Sequence, residues 1–200
     1  LHTVPHGVDL SGFDAMPAVD ARKKFDIPAS CPLLVYHGTF SYPPNREALR
    51  IFADVLLPGL ERSGLACHLL AVGRDPPAES PHPRIHRVGS VEQVGPWLKA
   101  ADFALVPLVE GGGTRMKIID CFAAGLPVIS TGKGIEGIPV VDGEQALILD
   151  DWEAMITAVI ELWNNRERAE ALASGGRALA ENLSWDSIAE QYRTIYNTLP

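Results

Sequence analysis

The sequence predicts an α/β domain built on a doubly wound parallel sheet, with helices on both faces and a helical C-terminus. Three observations carry that reading. Short runs at residues 33–37, 66–72 and 103–106 are apolar almost throughout rather than at alternate positions, as in strands covered on both sides. Longer stretches with apolar residues at helical spacing lie between the strands, so right-handed βαβ units are the expected connections. Beyond residue 150 the helical period continues without further strands.

In order, the first strand covers residues 33–37 and stops at Gly38. Asn45, after Pro43-Pro44, is expected to cap a helix that runs to residue 57 and stops at Pro58-Gly59. Its buried face is Leu49, Phe52, Ala53 and Leu56. Residues 66–72 form the second strand, closed by Gly73, and four prolines within 74–83 mark a surface loop. Residues 85–88 form the third. Ser90-Val91-Glu92-Gln93 has the form of a capping box, so a helix is expected from there to Ala101, with Pro96 in the first turn of its later part. A fourth strand at 103–106 leads through Gly111-Gly112-Gly113 into a helix over 114–124, which Gly125 and Pro127 end. Strands at 127–130 and 146–149 complete the set. Helices follow near 152–163, 166–181 and 185–197, the last capped by Ser184. Trp152, Trp163 and Trp185 fall at helical spacing and are expected in the core.

Composition narrows the function classes. The 200 residues carry 17 Lys and Arg against 25 Asp and Glu, a net charge of −8, which disfavours broad nucleic-acid binding. A hydrophobic fraction of 46% excludes a disordered chain. Cys31, Cys67 and Cys121 are isolated, offer no zinc spacing or disulfide framework, and read as buried small apolar residues in a reducing compartment. No run reaches the ~18 apolar residues of a membrane span, and no signal peptide is visible. A chain that begins at Leu1 rather than Met reads as a piece of something longer.

Parallel sheets bind ligands outside the carboxyl ends of their strands, and the richest loop there is 109–117. Its glycines allow close backbone approach, and the helix that follows aims free N–H groups and its positive end at the same spot. Arg115 and Lys117 are unfavourable in a first turn unless an anion neutralises them, so Gly112, Gly113, Thr114, Arg115 and Lys117 are the candidate phosphate site. Asp120 is placed to accept ribose hydroxyls, although spacing alone favours a surface or capping carboxylate. His37 and His86 read as satisfied histidines, and Lys133 as a second anion contact. No Walker loop, dinucleotide fingerprint or hydrolase motif is present.

The segment from Pro107 to Gly137, P-L-V-E-G-G-G-T-R-M-K-I-I-D-C-F-A-A-G-L-P-V-I-S-T-G-K-G-I-E-G, resembles the donor-site segment of group 1 (family four) glycosyltransferases. Val4–Asp9, V-P-H-G-V-D, resembles the start of the C-terminal domain of these GT-B enzymes, so the likeness spans nearly the whole chain. It implies a Rossmann-like half of a GT-B fold, with 1–31 as linker and domain start and 32–183 as donor domain. Residues 184–200 would be a helix crossing back to an absent N-terminal, acceptor-binding domain. It implies retaining, hexosyl-type transfer from a nucleotide-diphosphate sugar such as a UDP- or GDP-sugar, without a cofactor or essential metal. The setting would be cytoplasmic polysaccharide biosynthesis, and peripheral attachment of the full-length protein to the inner membrane face stays open. Gly38, Thr39, Val88, Val91, Glu110 and Lys133 become further donor contacts.

The chain departs from the family pattern at three points. Gly112 stands where many members have the first of two glutamates, and Asp120 stands at the second. Thr39 and Pro44 replace a basic pair, which leaves Arg115 and Lys117 to take over the phosphates. A nucleotide-sugar epimerase and a non-catalytic nucleotide-binding module are the alternatives.

Overall fold

The computed structural model describes residues 4–198. Its sheet is parallel throughout, with strands β1 (Leu33–His37), β2 (His68–Val72), β3 (Ile85–Gly89), β4 (Phe103–Val106), β5 (Val128–Ser130) and β6 (Leu147–Ile148). They lie in the order β3-β2-β1-β4-β5-β6, and β1 pairs with β2 along its whole length, from Leu33 opposite His68 to His37 opposite Val72. Leu33, Leu34, Leu69, Leu70, Ala104, Leu105 and Ile129 are fully buried, as strands sandwiched between helices require. Each such side chain contributes about 1.5–3 kcal/mol by leaving water.

The chain winds outward from β1 to β2 and β3, then returns to the other side of β1 for β4. This reversal opens a crevice between the carboxyl ends of β1 and β4. Helices α6 (Met116–Ala123), α8 (Trp152–Asn164) and α9 (Arg166–Asn182) cover the sheet; Asp151 caps α8 by accepting from the Ala154 amide at 2.8 Å. Gly125, at φ 68°, ends the α6 segment. The fold is therefore the doubly wound parallel sheet that the apolar runs imply.

Several local expectations are corrected. The helix after β1 begins at Pro43, as α3 (Pro43–Ile51), with Tyr42 at its cap; Asn45 is buried and points inward instead. Pro58 does not stop it. A π-helical turn at Phe52–Leu56 brings the Leu57 amide to the Phe52 carbonyl, and α4 (Leu57–Arg62) carries Pro58 in its first turn, where a missing N–H costs little. Gly59 then lets Ile156 of α8 pack directly on α4. Residues 90–94 are not helical: α5 covers only Gly95–Leu98, with Pro96 in its first turn. In a helix begun at Ser90, the Pro96 ring would meet the Glu92 carbonyl.

Trp152 and Trp163 are partly buried against the core, but Trp185 is 48% exposed, stacked edge-on against His6. Cys67 and Cys121 are buried, whereas Cys31 is half-buried. Short helices α1 (Leu10–Ala15), α2 (Ala21–Lys24) and α7 (Gly132–Ile135) carry too few turns for a periodic signal. Phe13, Ala21 and Ile27 nonetheless join the core. The last helix, α10 (Trp185–Thr198), starts where Ser184 Oγ accepts from the Ser187 amide at 3.2 Å.

Candidate donor site

The crevice between β1 and β4 holds a cavity of about 390 Å³ lined by His37, Gly38 and Thr39 from the end of β1, Tyr42, Pro44 and Asn45 from α3 and its approach, Glu110, Gly111 and Gly112 from the glycine loop, and Thr114, Arg115, Lys117 and Asp120 from α6 and its approach. A second cavity of about 330 Å³ continues from it across His37, Gly38 and Thr39 to Arg74 and Val91, at the ends of β2 and β3. The two form one cleft along the carboxyl edge of four strands.

The glycine loop is held by a buried cation. Arg115 is 5% exposed. Its Nε donates to the Lys133 carbonyl, Nη1 to Gly112 and Nη2 to Gly111, each at 3.0 Å, with Nη2 also 3.1 Å from Glu136 Oε2. Glu136 also receives the Lys133 ammonium at 2.8 Å, which holds its carboxyl below the usual range. The charge expected to await an anion is thus met by carbonyls and a carboxylate of the chain, and the guanidinium orders the loop and ties it to α7. Gly111, at φ 113°, packs against Pro44 and the Tyr42 hydroxyl, and the Gly112 amide donates to that hydroxyl at 3.3 Å.

Lys117 lies deeper. Its Nζ donates to the Tyr36 hydroxyl and to Asn45 Oδ1, both at 2.7 Å, and sits 4.0 Å from the Tyr36 ring centre. Tyr36 also donates to Asn45 Oδ1 at 2.6 Å, while Asn45 Nδ2 donates to the Thr39 carbonyl at 2.8 Å. These partners are neutral, so burial pushes the Lys117 ammonium down to about 7. A lysine held near 7 in a cleft is only partly charged at neutral pH, and an anion beside it favours the charged form.

Asp120 lies one turn further along α6 and faces His37 across the cleft, with Nε2 and Oδ2 3.2 Å apart. Since a carboxylate only accepts, the contact sets the imidazole tautomer. The carboxylate keeps other lone pairs for a ligand.

The family model for glycosyl transferases group 1 matches residues 31–165, which take in all six strands, the glycine loop and α6. The chain belongs to that family. Among its relatives, a phosphatidyl-myo-inositol mannosyltransferase from Mycobacterium leprae is 22% identical over 98% of this chain and 53% of its own length. A D-inositol 3-phosphate glycosyltransferase from Thermobispora bispora is 24% identical over 95% and 48%. The chain spans about half the length of these two curated relatives. Among solved structures, the Thermosynechococcus elongatus sucrose-phosphate synthase superposes with a TM-score of 0.74 at 25% identity, covering 98% of this chain and 52% of that one. The Anabaena HepE protein in complex with UDP gives 0.76 at 13%, covering 99% and 57%. The C-terminal domain of the Francisella tularensis group 1 protein LpcC, 15% identical, gives 0.65 over 88% of this chain and 97% of that domain. The fold is the Rossmann-like C-terminal half of GT-B.

Of the positions read from sequence, Gly38, Thr39, Val91, Glu110, Gly112, Thr114, Arg115, Lys117 and Asp120 line the group 1 chain's cleft. Val88, Gly113 and Lys133 line neither cavity, and Lys133 offers its carbonyl to Arg115 rather than its charge to the cleft. His86 lies apart, 2.8 Å from His68 Nδ1. Arg74, Tyr42 and Asn45 reach the cleft from elements whose sequence carries no such signal. Among the described residues no three His, Cys, Asp or Glu side chains converge to hold a metal ion, and no helix is long and apolar enough to cross a membrane.

Proposed function

We propose that this chain is the donor-binding half of a glycosyl transferase that takes a nucleoside diphosphate sugar and passes the sugar to an acceptor held by an N-terminal domain of the same protein. The observation that carries this reading is the meeting, in one cleft, of an arginine-ordered glycine loop, Lys117 and Asp120 at the topological switch point. Family membership and the UDP complex of a structural neighbour support it.

In this reading Asp120 accepts hydroxyls of the ribose, and the loop amides with Lys117 face the diphosphate. As the bond to the anomeric carbon breaks, negative charge gathers on the departing diphosphate. Preorganised N–H donors and an ammonium offset it without reorganising. Transfer is retaining and hexosyl in type, with no resident metal, and the protein works in the cytoplasm on polysaccharide precursors. The group that activates the acceptor belongs to the other domain.

The test is calorimetric titration of the chain with UDP, GDP and ADP. Micromolar-to-millimolar binding of one in preference to the others is expected. No binding of any at millimolar concentration overturns the reading. A non-catalytic nucleotide-binding module is favoured by one observation, the complete use of Arg115 on protein acceptors. Nucleotide binding without sugar transfer by the full-length protein would select it.

A further inference from the structure

We propose that Arg74 is the mobile cation of the cleft, closing onto the diphosphate of the donor from the loop after β2 and supplying the charge that the loop after β1 lacks. The inference rests on the donor-site reading and adds a residue to it.

The backbone fixes where Arg74 starts. Its carbonyl accepts from the Phe40 amide at 2.8 Å, the Gly38 amide donates to Val72 at 2.9 Å, and the Gly73 amide donates to Gly89 at 2.9 Å. The loops after β1 and β2 are thereby laced together. Gly73, at φ 137°, lies so near Gly38 that a Cβ there would overlap the Gly38 carbonyl. Arg74 is pinned beside Thr39, one of the two positions that carry no cation although the family resemblance places one there.

The side chain itself is not pinned. Arg74 is exposed, and Nη2 makes one long contact, 3.4 Å, to Thr39 Oγ1. No carboxylate lies within 4.0 Å of it among the ion pairs of the described residues. The adjacent Asp75, at φ 55°, instead accepts from Ser41 Oγ at 2.7 Å. Of the cleft's three basic side chains, Arg115 is committed to four acceptors and Lys117 to two, which leaves Arg74 free to turn toward a ligand.

Position names the ligand group. Thr39 is shared by both cavities, so the guanidinium stands at their junction. A ligand with its base toward β2 and β3 and its sugar toward the glycine loop carries its diphosphate past that point. A forked guanidinium suits two phosphate oxygens.

The experiment titrates the chain with whichever of UDP, GDP and ADP binds best and with its parent nucleoside, for unmodified protein, Arg74→Gln, Arg74→Lys and the remote control Arg166→Gln. Arg74→Gln is expected to weaken the nucleoside diphosphate about tenfold or more, the range for a charged hydrogen bond. Nucleoside affinity and thermal midpoint should stay unchanged, Arg74→Lys should recover part of the loss, and Arg166→Gln should lose nothing. Unchanged diphosphate affinity in Arg74→Gln overturns the inference alone, as does an equal loss for diphosphate and nucleoside. Absence of nucleotide binding by the unmodified chain overturns the donor reading and the inference with it.

Discussion

His37 at the end of β1 and Asp120 on α6 are joined across the cleft, with Nε2 and Oδ2 3.2 Å apart, although 82 residues separate them in the chain. The imidazole holds the carboxylate over the opening while one face of it stays available. Asp120→Ala is therefore expected to weaken nucleoside diphosphate binding by about 1.5–3 kcal/mol. Removing the ribose 2′-hydroxyl should cost the unmodified chain a similar amount and the variant almost nothing. Titration of UDP and 2′-deoxy-UDP against both proteins checks this; equal losses for the 2′-deoxy ligand in both would assign Asp120 elsewhere.

Arg115 supports the loop before it meets any ligand. Arg115→Ala strands the Gly111, Gly112 and Lys133 carbonyls, so a stability loss of about 1–3 kcal/mol is expected by urea denaturation. Arg115→Lys should restore less than half, because an ammonium cannot span the same acceptors. A variant as stable as the parent would return Arg115 to the role of a phosphate contact.

Lys117 should leave its mark on the pH dependence of stability. Burial holds it at about 7 against an ordinary 10.5. Between those values the unfolded chain binds a proton that the folded chain does not, so this group makes stability rise with pH there. Below the folded value both states are charged and the cost of burying the charge is complete. The buried Cys67 thiol, pushed up to about 12, acts oppositely once unfolded thiols ionise near 9.0, and the lowered histidines act below 6.5. The unfolding free energy from urea titrations at pH 7 to 9 should climb by at most about 1.4 kcal/mol per pH unit. In Lys117→Met that climb should be missing, and a variant with the same slope would contradict the assignment.

Gly73→Ala should destabilise more than Gly64→Ala. Both glycines have positive φ, 137° and 84°, but only at Gly73 does a Cβ meet the Gly38 carbonyl, whereas Gly64 faces open space. About 1–2 kcal/mol is expected at Gly64 from backbone conformation. Gly73→Ala should exceed that and weaken nucleotide binding as well, because it separates the two loops that frame Thr39. Thermal melts with paired titrations test both halves.

The strands were legible because burial on both faces writes an unbroken apolar run, and so was the glycine loop, because chain reversal and close approach demand those residues. Helix ends were less so. Pro58 looks like a breaker, yet the π-helical turn at Phe52–Leu56 places it where no N–H is needed. The α5 helix starts only at Gly95 because in a helix begun at Ser90 the Pro96 ring would meet the Glu92 carbonyl; that Gly95 then packs on Phe13 and Met16, more than 75 residues upstream, is a contact no local pattern announces. The charges of the site were the hardest to read. Sequence places Arg115 and Lys117 on one helical turn but does not show that Gly111, Gly112 and Glu136 take up the first and Tyr36 and Asn45 the second. Arg74 was hidden for the same reason, since strand order sets it beside Thr39.

The most direct test of the donor site is to map a bound nucleotide by backbone amide shifts of isotope-labelled chain titrated with UDP, GDP and ADP. The largest changes are expected at Gly38, Thr39, Gly111, Gly112 and Asp120, around the cavity between β1 and β4. Changes confined to Phe103, Gly125, Leu126 and Ala169, which line a cavity of about 420 Å³ at the opposite ends of β4 and β5, would contradict the donor site.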